Sequence, residues 1–392
     1  ADLGPPGFLP LAAGLRNTGY IPGLLMLVLF YGVCVYTMYA IGRTTELSGA
    51  KDFAGQWRST LGPKFAFVPV VVVVTVCFGV NISYSCFFAD ILSGVLPAMG
   101  LDLSRTSALI AFTAFPTLPL CLLKNLSALA NSSFVAVVAV FYTAVFMVLR
   151  ALDGSYQVGG RYFDQLPEAP KVPPASAHLW AVGMPSLVLL NGLALAFISH
   201  YNGCKYYREL QGHTPSRFVK CTAFAMGCCG LLFAITMIAG FHTFGSTTNS
   251  VILENYAEED ELANVARLGI GFSIIASFPL MFSGLREAVI ALVKEVVPTS
   301  DIDLIWKQDI LSLFLLALIT FVAAIVEDAG LVVGIVGALC GSAIIYMVPC
   351  SLYTAAVKRF STGSPGVVAL NECLILLGAI LAVAGTMTTL VF

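Results

Sequence analysis

The sequence predicts an all-α polytopic membrane protein: two five-span halves of opposite topology followed by an eleventh helix. Three observations support this. The 392-residue chain is 58% apolar and only 11% charged, where a soluble domain carries about 25% charged residues. Its mean hydropathy is +0.90, and apolar runs near the ~20 residues of a bilayer crossing recur along its length. The first span of each half is interrupted by Gly, Pro or polar residues, GPPGFLP in one and SHYNGC in the other.

Span 1, residues 1–17, is short and carries the first interruption. Spans 2 to 5 are read at 21–43, 66–93, 106–123 and 131–150, and span 6 at 184–210. Spans 7 to 11 follow at 218–241, 264–292, 309–326, 330–353 and 366–390. In lipid every backbone polar group must find a partner within the protein, so each segment is a helix, broken only where protein covers the break. Span 6 exceeds the ~20 residues of a straight crossing, which a break followed by a short amphipathic half-helix explains. Gly334, Gly337 and Gly341 give span 10 a small-residue face for close packing. The repeats cover about 1–150 and 184–353, helix 11 about 366–390, and the whole chain is one transmembrane domain.

Basic residues set the orientation. With span 1 entering from the cytoplasm, fourteen of the twenty Lys and Arg lie inside, including Arg43, Lys51, Lys124, Lys205 and Arg217. Six stay outside: Arg16, Arg105, Arg150, Arg161, Lys171 and Arg267. That excess favours this orientation. The outer segment 245–263 agrees, holding Glu254, Glu258, Glu259, Asp260 and Glu261 with no Lys or Arg. It also leaves the sequons at Asn81, Asn125 and Asn131 in a span or on the inner side, where no glycosylation is expected. The connector 151–183 is an external loop rather than a domain.

Several function classes drop out. There is no basic tract for nucleic acid, no phosphate-binding glycine loop and no CxxC pair among the eleven cysteines. The cysteines, nearly all within the apolar runs, read as buried thiols rather than a disulfide framework or a metal site. The four histidines, at 178, 200, 213 and 242, form no cluster, so neither a resident metal nor an enzyme is expected. No cofactor is called for beyond a coupling proton or sodium ion.

Paired interrupted spans in an inverted repeat point to a transporter's substrate site near the midplane. The residues there carry a family resemblance. FISHYNGCKYYREL at 197–210 resembles the broken sixth helix of the amino acid/auxin permease family, and GFLPLAAGLRNTG at 7–19 resembles its first. CFGVNISYSCFFADIL at 77–92 is similar to its third helix, and PLCLLKNLSALANSS at 119–133 to its helix 4–5 junction. ARLGIGFSIIASFPLMFSGLREAV at 266–289 is similar to its eighth, and EDAGLVVGIVGALCGSAIIYMVPCSLY at 327–353 to its tenth. The resemblance runs in order along nearly the whole chain. It implies a leucine-transporter-like fold with broken helices 1 and 6, and secondary active transport of small neutral amino acids. The similarity is to the sodium-coupled neutral and the vacuolar amino acid transporters, in a plasma or vacuolar/endolysosomal membrane. An amino acid sensor of the same fold is the alternative. The opening ADLGPP departs from the family's pattern, with the expectation that the inner half of span 1 is altered or absent.

The candidate substrate residues are Gly7, Phe8 and Leu9 in span 1, Asn81 and Tyr84 in span 3, and Phe197, Ser199, His200 and Asn202 in span 6. The polar pair in span 3, with Ser83, has two readings: cavity lining, or interhelical hydrogen bonds of about 0.6 kcal/mol. His200 is either a core histidine bonded to backbone freed by the break or a titrating group beside the substrate. Asp90, near the outer end of span 3, reads as structural or gating. Ser273, Ser277 and His200 are the ion-coupling candidates. The sodium-coupled relatives tend to carry two hydroxyls where this chain has Ile275-Ala276-Ser277, so ligand number favours a proton over sodium. The partners expected are an amino acid substrate and the bilayer, with no nucleic acid.

Overall fold

The computed structural model describes residues 5–95, 103–123, 130–166, 179–297, 300–302, 304–326 and 328–391. Residues 1–4 of the opening, the 124–129 junction with Lys124 and Asn125, and Lys171 and His178 lie outside the described residues. Among the described residues the regular structure is entirely helical. Ten helices among the described residues are long and apolar enough to cross a membrane. The first span is a broken pair, Pro5–Phe8 and Leu11–Thr18, too short in either half to stand among those ten.

Local chemistry sets the element ends. Pro10 stands between the halves of span 1. Gly19, at φ 74°, ends the second half and lets the chain reverse directly into span 2, Tyr20–Ser48. Asp52 caps the short inner helix Phe53–Thr60 by accepting from the Gly55 N–H at 2.7 Å. Thr214 caps span 7, Pro215–Phe244, with proline in its first turn. Asp260 caps span 8, Glu261–Val296, and Asp328 caps the first part of span 10, Ala329–Ile335. Span 10 then continues as a π-helical stretch, Val336–Met347, where it meets span 6.

Spans 1, 2, 6 and 7 pack on one another, with spans 3, 8 and 10 against them. Span 3 (Phe67–Val95) lies along span 8, and span 5 (Ala130–Leu152) packs on spans 7 and 8. Span 11, Pro365–Val391, covers span 10. Residues given opposite sides by charge gather at opposite ends of this bundle. At the outer end Arg150 holds Asp260 through two hydrogen bonds of 2.7 and 2.8 Å, and Tyr156 donates to the same carboxylate at 2.9 Å. At the inner end Arg58 pairs with Glu295. All eleven cysteines are free; Cys221, Cys228 and Cys373 are exposed on the helical surface rather than buried.

A cysteine at Val158, 87% exposed, is expected to react with an impermeant maleimide from the outer side only. One at Leu61, 48% exposed, is expected to react from the inner side only. Labelling of both from one side would overturn the orientation.

Candidate functional site

Span 6 is helical over Ser186–Ala196, unwinds, forms one 3-10 turn at His200–Asn202 and resumes as Gly203–Glu209. Span 1 breaks at Leu9–Pro10. The structure sets the two breaks against each other. A Cβ added at Gly7 would lie 2.7 Å from Cα of Ala196, the last helical residue before the span 6 break. Nothing larger than hydrogen fits there. The first half-helix also touches spans 3 and 8, so the interruptions meet where those spans converge.

Broken helices present half-helix ends. The N-terminal end at Leu11 carries partial positive charge and the C-terminal end at Ala196 partial negative charge. Ends of this kind suit a carboxylate and an ammonium group respectively. Phe8 and Leu9, 1% and 0% exposed, are buried beside the span 1 break.

Two cavities approach it. The larger, about 620 Å³, opens at the inner end between the Phe53–Thr60 helix and spans 3, 6 and 8. Its rim is charged with both signs, Lys51, Arg58, Lys205 and Arg208 facing Asp52, Glu209, Glu287 and Glu295. Tyr201, Asn202 and Gly284 line it where it reaches the span 6 break. The Tyr201 hydroxyl donates to Sδ of Met281 at 2.8 Å, tying the break to span 8. From the outer end a crevice of about 100 Å³ reaches Pro10 and Leu11 of span 1. It shares Ser250, Asp328 and Gly330 with a wider outer cavity of about 360 Å³. The molecule is therefore open inward and pinched outward.

Successive residues of the span 6 break face different surroundings. Phe197 and Ser199 line a separate apolar cavity of about 260 Å³ against spans 2 and 7. His200 is fully buried, its Nε2 3.0 Å from Oγ1 of Thr37 on span 2. The Thr37 hydroxyl also contacts the carbonyls of Val33 and Cys34. His200 thus braces span 6 on span 2 and walls none of these cavities, while its Nδ1 has no hydrogen-bond partner among the described residues. Asn202 is the span 6 candidate that reaches the inner cavity.

On span 3, Asn81 is fully buried and donates back to its own helix, to the Cys77 carbonyl at 2.7 Å; its Oδ1 is unpaired among the described residues. Ser83 donates in the same way to Gly79. Tyr84 packs on Phe278 of span 8, ring centroids 6.3 Å apart. Ser273 is 1% exposed and its hydroxyl has no partner among the described residues, while Ser277 is half-buried. Asp90 accepts from Nε of Arg105 at 2.7 Å on the wall of the outer cavity. Sequence reasoning missed Thr37, Tyr201 and the outer carboxylates Glu254 and Asp328. Tyr201 adjoins the marked histidine, but no pattern says which of two neighbours in an unwound segment faces a cavity.

Residues 5–391 match the family model for transmembrane amino acid transporter protein. A putative sodium-coupled neutral amino acid transporter 11 from Danio rerio is 28% identical over 290 residues, 72% of this chain and 61% of that protein. The chain thus spans less than two thirds of that relative's length. Vacuolar amino acid transporter 2 of Saccharomyces cerevisiae is 23% identical over 358 residues, 88% of this chain and 72% of that protein. Among solved structures, a variant of the manganese transporter from Eremococcus coleocola is 12% identical with a TM-score of 0.50, covering 99% of this chain and 92% of that one. At that identity the likeness shows the fold, a leucine-transporter-like bundle, and says nothing of cargo.

Proposed function

The chain belongs to the transmembrane amino acid transporter family, a family of transporters rather than enzymes, and from that premise we propose that it carries small neutral amino acids across its membrane by secondary active transport. The observation that carries this reading is the pair of opposed helix breaks, Gly7 against Ala196, between an inner cavity and an outer crevice. The amino acid's carboxylate and ammonium groups are held by the half-helix ends and by backbone freed at Phe8–Leu9 and Phe197–Asn202. Side-chain choice comes from the lining supplied by spans 1, 3, 6 and 8, with Asn81 and Tyr84 on span 3. The neutral preference is supported by the apolar surroundings of the breaks, where Phe8, Leu9 and Phe278 are at most 1% exposed; a charged side chain buried there would need a partner. Rocking of spans 1, 2, 6 and 7 against the remainder would exchange the inner opening for an outer one.

A cation drives the cycle, and we assign a proton. Ser277 is half-buried, and a stripped sodium ion needs several oxygen ligands. The test is uptake of a panel of amino acids into proteoliposomes under an imposed pH gradient or an imposed sodium gradient. Accumulation of small neutral amino acids under the pH gradient is expected. Accumulation that follows sodium and ignores pH would overturn the assignment. Binding without any flux would indicate a sensor.

A further inference from the structure

The inner half of span 6 has a different neighbour on each face. Its half-helix Gly203–Glu209 turns Lys205, Arg208 and Glu209 to the charged inner cavity. Tyr206, with Leu210 just beyond the helix, turns instead to the apolar cavity of about 260 Å³. That cavity follows span 7 from Phe218 to Cys229, and its deep end rests on Phe197 and Ser199 of the span 6 break. Cys221 and Ala225 line it and are exposed, and Phe224 between them is 76% exposed. The recess therefore opens on the lipid-facing surface of span 7.

Its length and its chemistry fit one occupant. From Phe218 to Cys229 the helix of span 7 rises about 16 Å, and one leaflet of a bilayer has a hydrocarbon depth of about 15 Å, half of the ~30 Å core. Arg217, Cys221, Ala225 and Cys229 recur at every fourth position and so share one face of span 7. Arg217 is exposed one turn before the recess begins, at the inner end where headgroups lie, and exposed Lys220 adds a second positive charge. Water would find few partners inside. The Thr222 hydroxyl is spent on the Phe218 carbonyl at 3.0 Å, and the Tyr206 hydroxyl accepts from Nδ2 of Asn202 at 3.4 Å. An apolar recess of this kind excludes water, and left empty it would forfeit the contacts of its lining. Hydrocarbon restores those contacts.

We propose that this recess is a binding site for one acyl chain of an inner-leaflet phospholipid, with the phosphate at Arg217 and the chain end against Phe197. The Phe197 ring lies between those of Phe30 and Phe233, with centroids 5.9 and 5.2 Å away. A Cβ added at Gly230 would lie 3.6 Å from Cζ of Phe197, so span 7 leaves that ring room on the recess side. The chain end thus completes the packing of an unwound stretch that has no helical neighbours of its own to pack on. The described lining comes from spans 2, 6 and 7 and the residues that adjoin them, all within the group assigned to rock together, so the lipid would travel with the break through the cycle. That consequence rests on the transport reading; the site itself does not.

The experiment uses the full chain in phosphatidylcholine nanodiscs that hold a trace of phosphatidylglycerol with a diazirine on one acyl chain, near the glycerol or at the chain end. After irradiation the adducts are located by mass spectrometry. The chain-end probe is expected on Phe197, Met226 or Cys229, and the probe near the glycerol on Cys221 or Thr222. Yields there should exceed severalfold those on Ile380 and Val383, which are exposed on span 11 and meet only bulk lipid. Ala225→Trp, which fills the mouth, should remove most of the recess adducts and leave those on span 11 unchanged. Should that variant not fold, Cys229→Phe, which fills the deep end, should remove the chain-end adducts alone. Arg217→Gln should lower recess labelling severalfold. Recess yields no higher than those on span 11, or adducts indifferent to the filling variants, would overturn the site. Labelling unchanged by Arg217→Gln would overturn the placing of the phosphate. Loss of the adducts to an equal mole fraction of cholesterol would give the recess to a sterol and overturn the phospholipid. No amino acid is present, so a failed uptake panel leaves the lipid site standing, and missing adducts leave the transport reading standing.

Discussion

Replacing Gly7 by alanine is expected to cut transport per folded protein at least tenfold. A Cβ at Gly7 would approach Cα of Ala196 to 2.7 Å and its backbone N to 3.4 Å. The obstacle is backbone, so no rotamer change relieves it, and the two half-helices must separate. Overpacking of this kind costs about 1–3 kcal/mol, so the protein should still fold, with a melting temperature lower by a few degrees. The functional loss is larger because groups converging on a ligand must hold position within about 0.5 Å. The added methyl displaces both sides of the site at once. Gly32→Ala is the control, since nothing lies within 4 Å of a Cβ there, and it should transport normally. Transport and melting of Gly7→Ala equal to those of Gly32→Ala would mean that the close approach of the breaks is not what shapes the site.

That contact shows what a sequence can and cannot tell. The membrane class, the helices and the two interruptions follow from composition and from the rule that backbone must be satisfied within lipid, and these are local properties. GPPGFLP and SHYNGC announce breaks because proline and clustered polar residues cannot continue an apolar helix unaided. Facing directions are not local. In an unwound stretch the helical period no longer fixes where a side chain goes. Phe197, His200 and Tyr201 therefore diverge to a side cavity, to Thr37 and to the inner cavity. The outer carboxylates were hidden differently. Asp90, Glu254 and Asp328 come from three distant segments, and segment 245–263 reads only as an acidic loop until its Val251, Ile252 and Leu253 are seen buried in the core. Glycine spacing in span 10 was legible, since small residues at helical spacing imply close approach. Its partners were not: Gly337 meets the Asn191 carbonyl, Gly341 meets Ala194, and Gly334 meets Thr389 of span 11.

The largest loss of stability is expected from Arg267→Met. Arg267 lies in the second turn of span 8, is 4% exposed and makes no ion pair among the described residues. Its guanidinium instead collects backbone. Nη2 donates to the carbonyls of Leu253 and Tyr256 at 2.9 and 2.6 Å. Nη1 donates to the Ala257 carbonyl at 3.4 Å and to Oδ1 of Asn264 at 2.6 Å. The planar fork thus pins the 253–257 segment, which carries the Glu254 turn, onto the outer end of span 8. Methionine keeps the apolar stem and removes every donor. Each buried carbonyl left without a partner costs about 1–3 kcal/mol, so the loss should reach several kcal/mol and lower the melting temperature by more than Gly7→Ala does. Arg267→Lys should fall between, because a compact ammonium cannot serve four acceptors in one plane. The loss should also be confined in space. Proteolysis within 245–260 should quicken in Arg267→Met, because that segment loses its side-chain anchor to span 8. An Arg267→Met protein that melts like the wild type and is cut no faster within 245–260 would show that the outer turn is held by its apolar side chains alone.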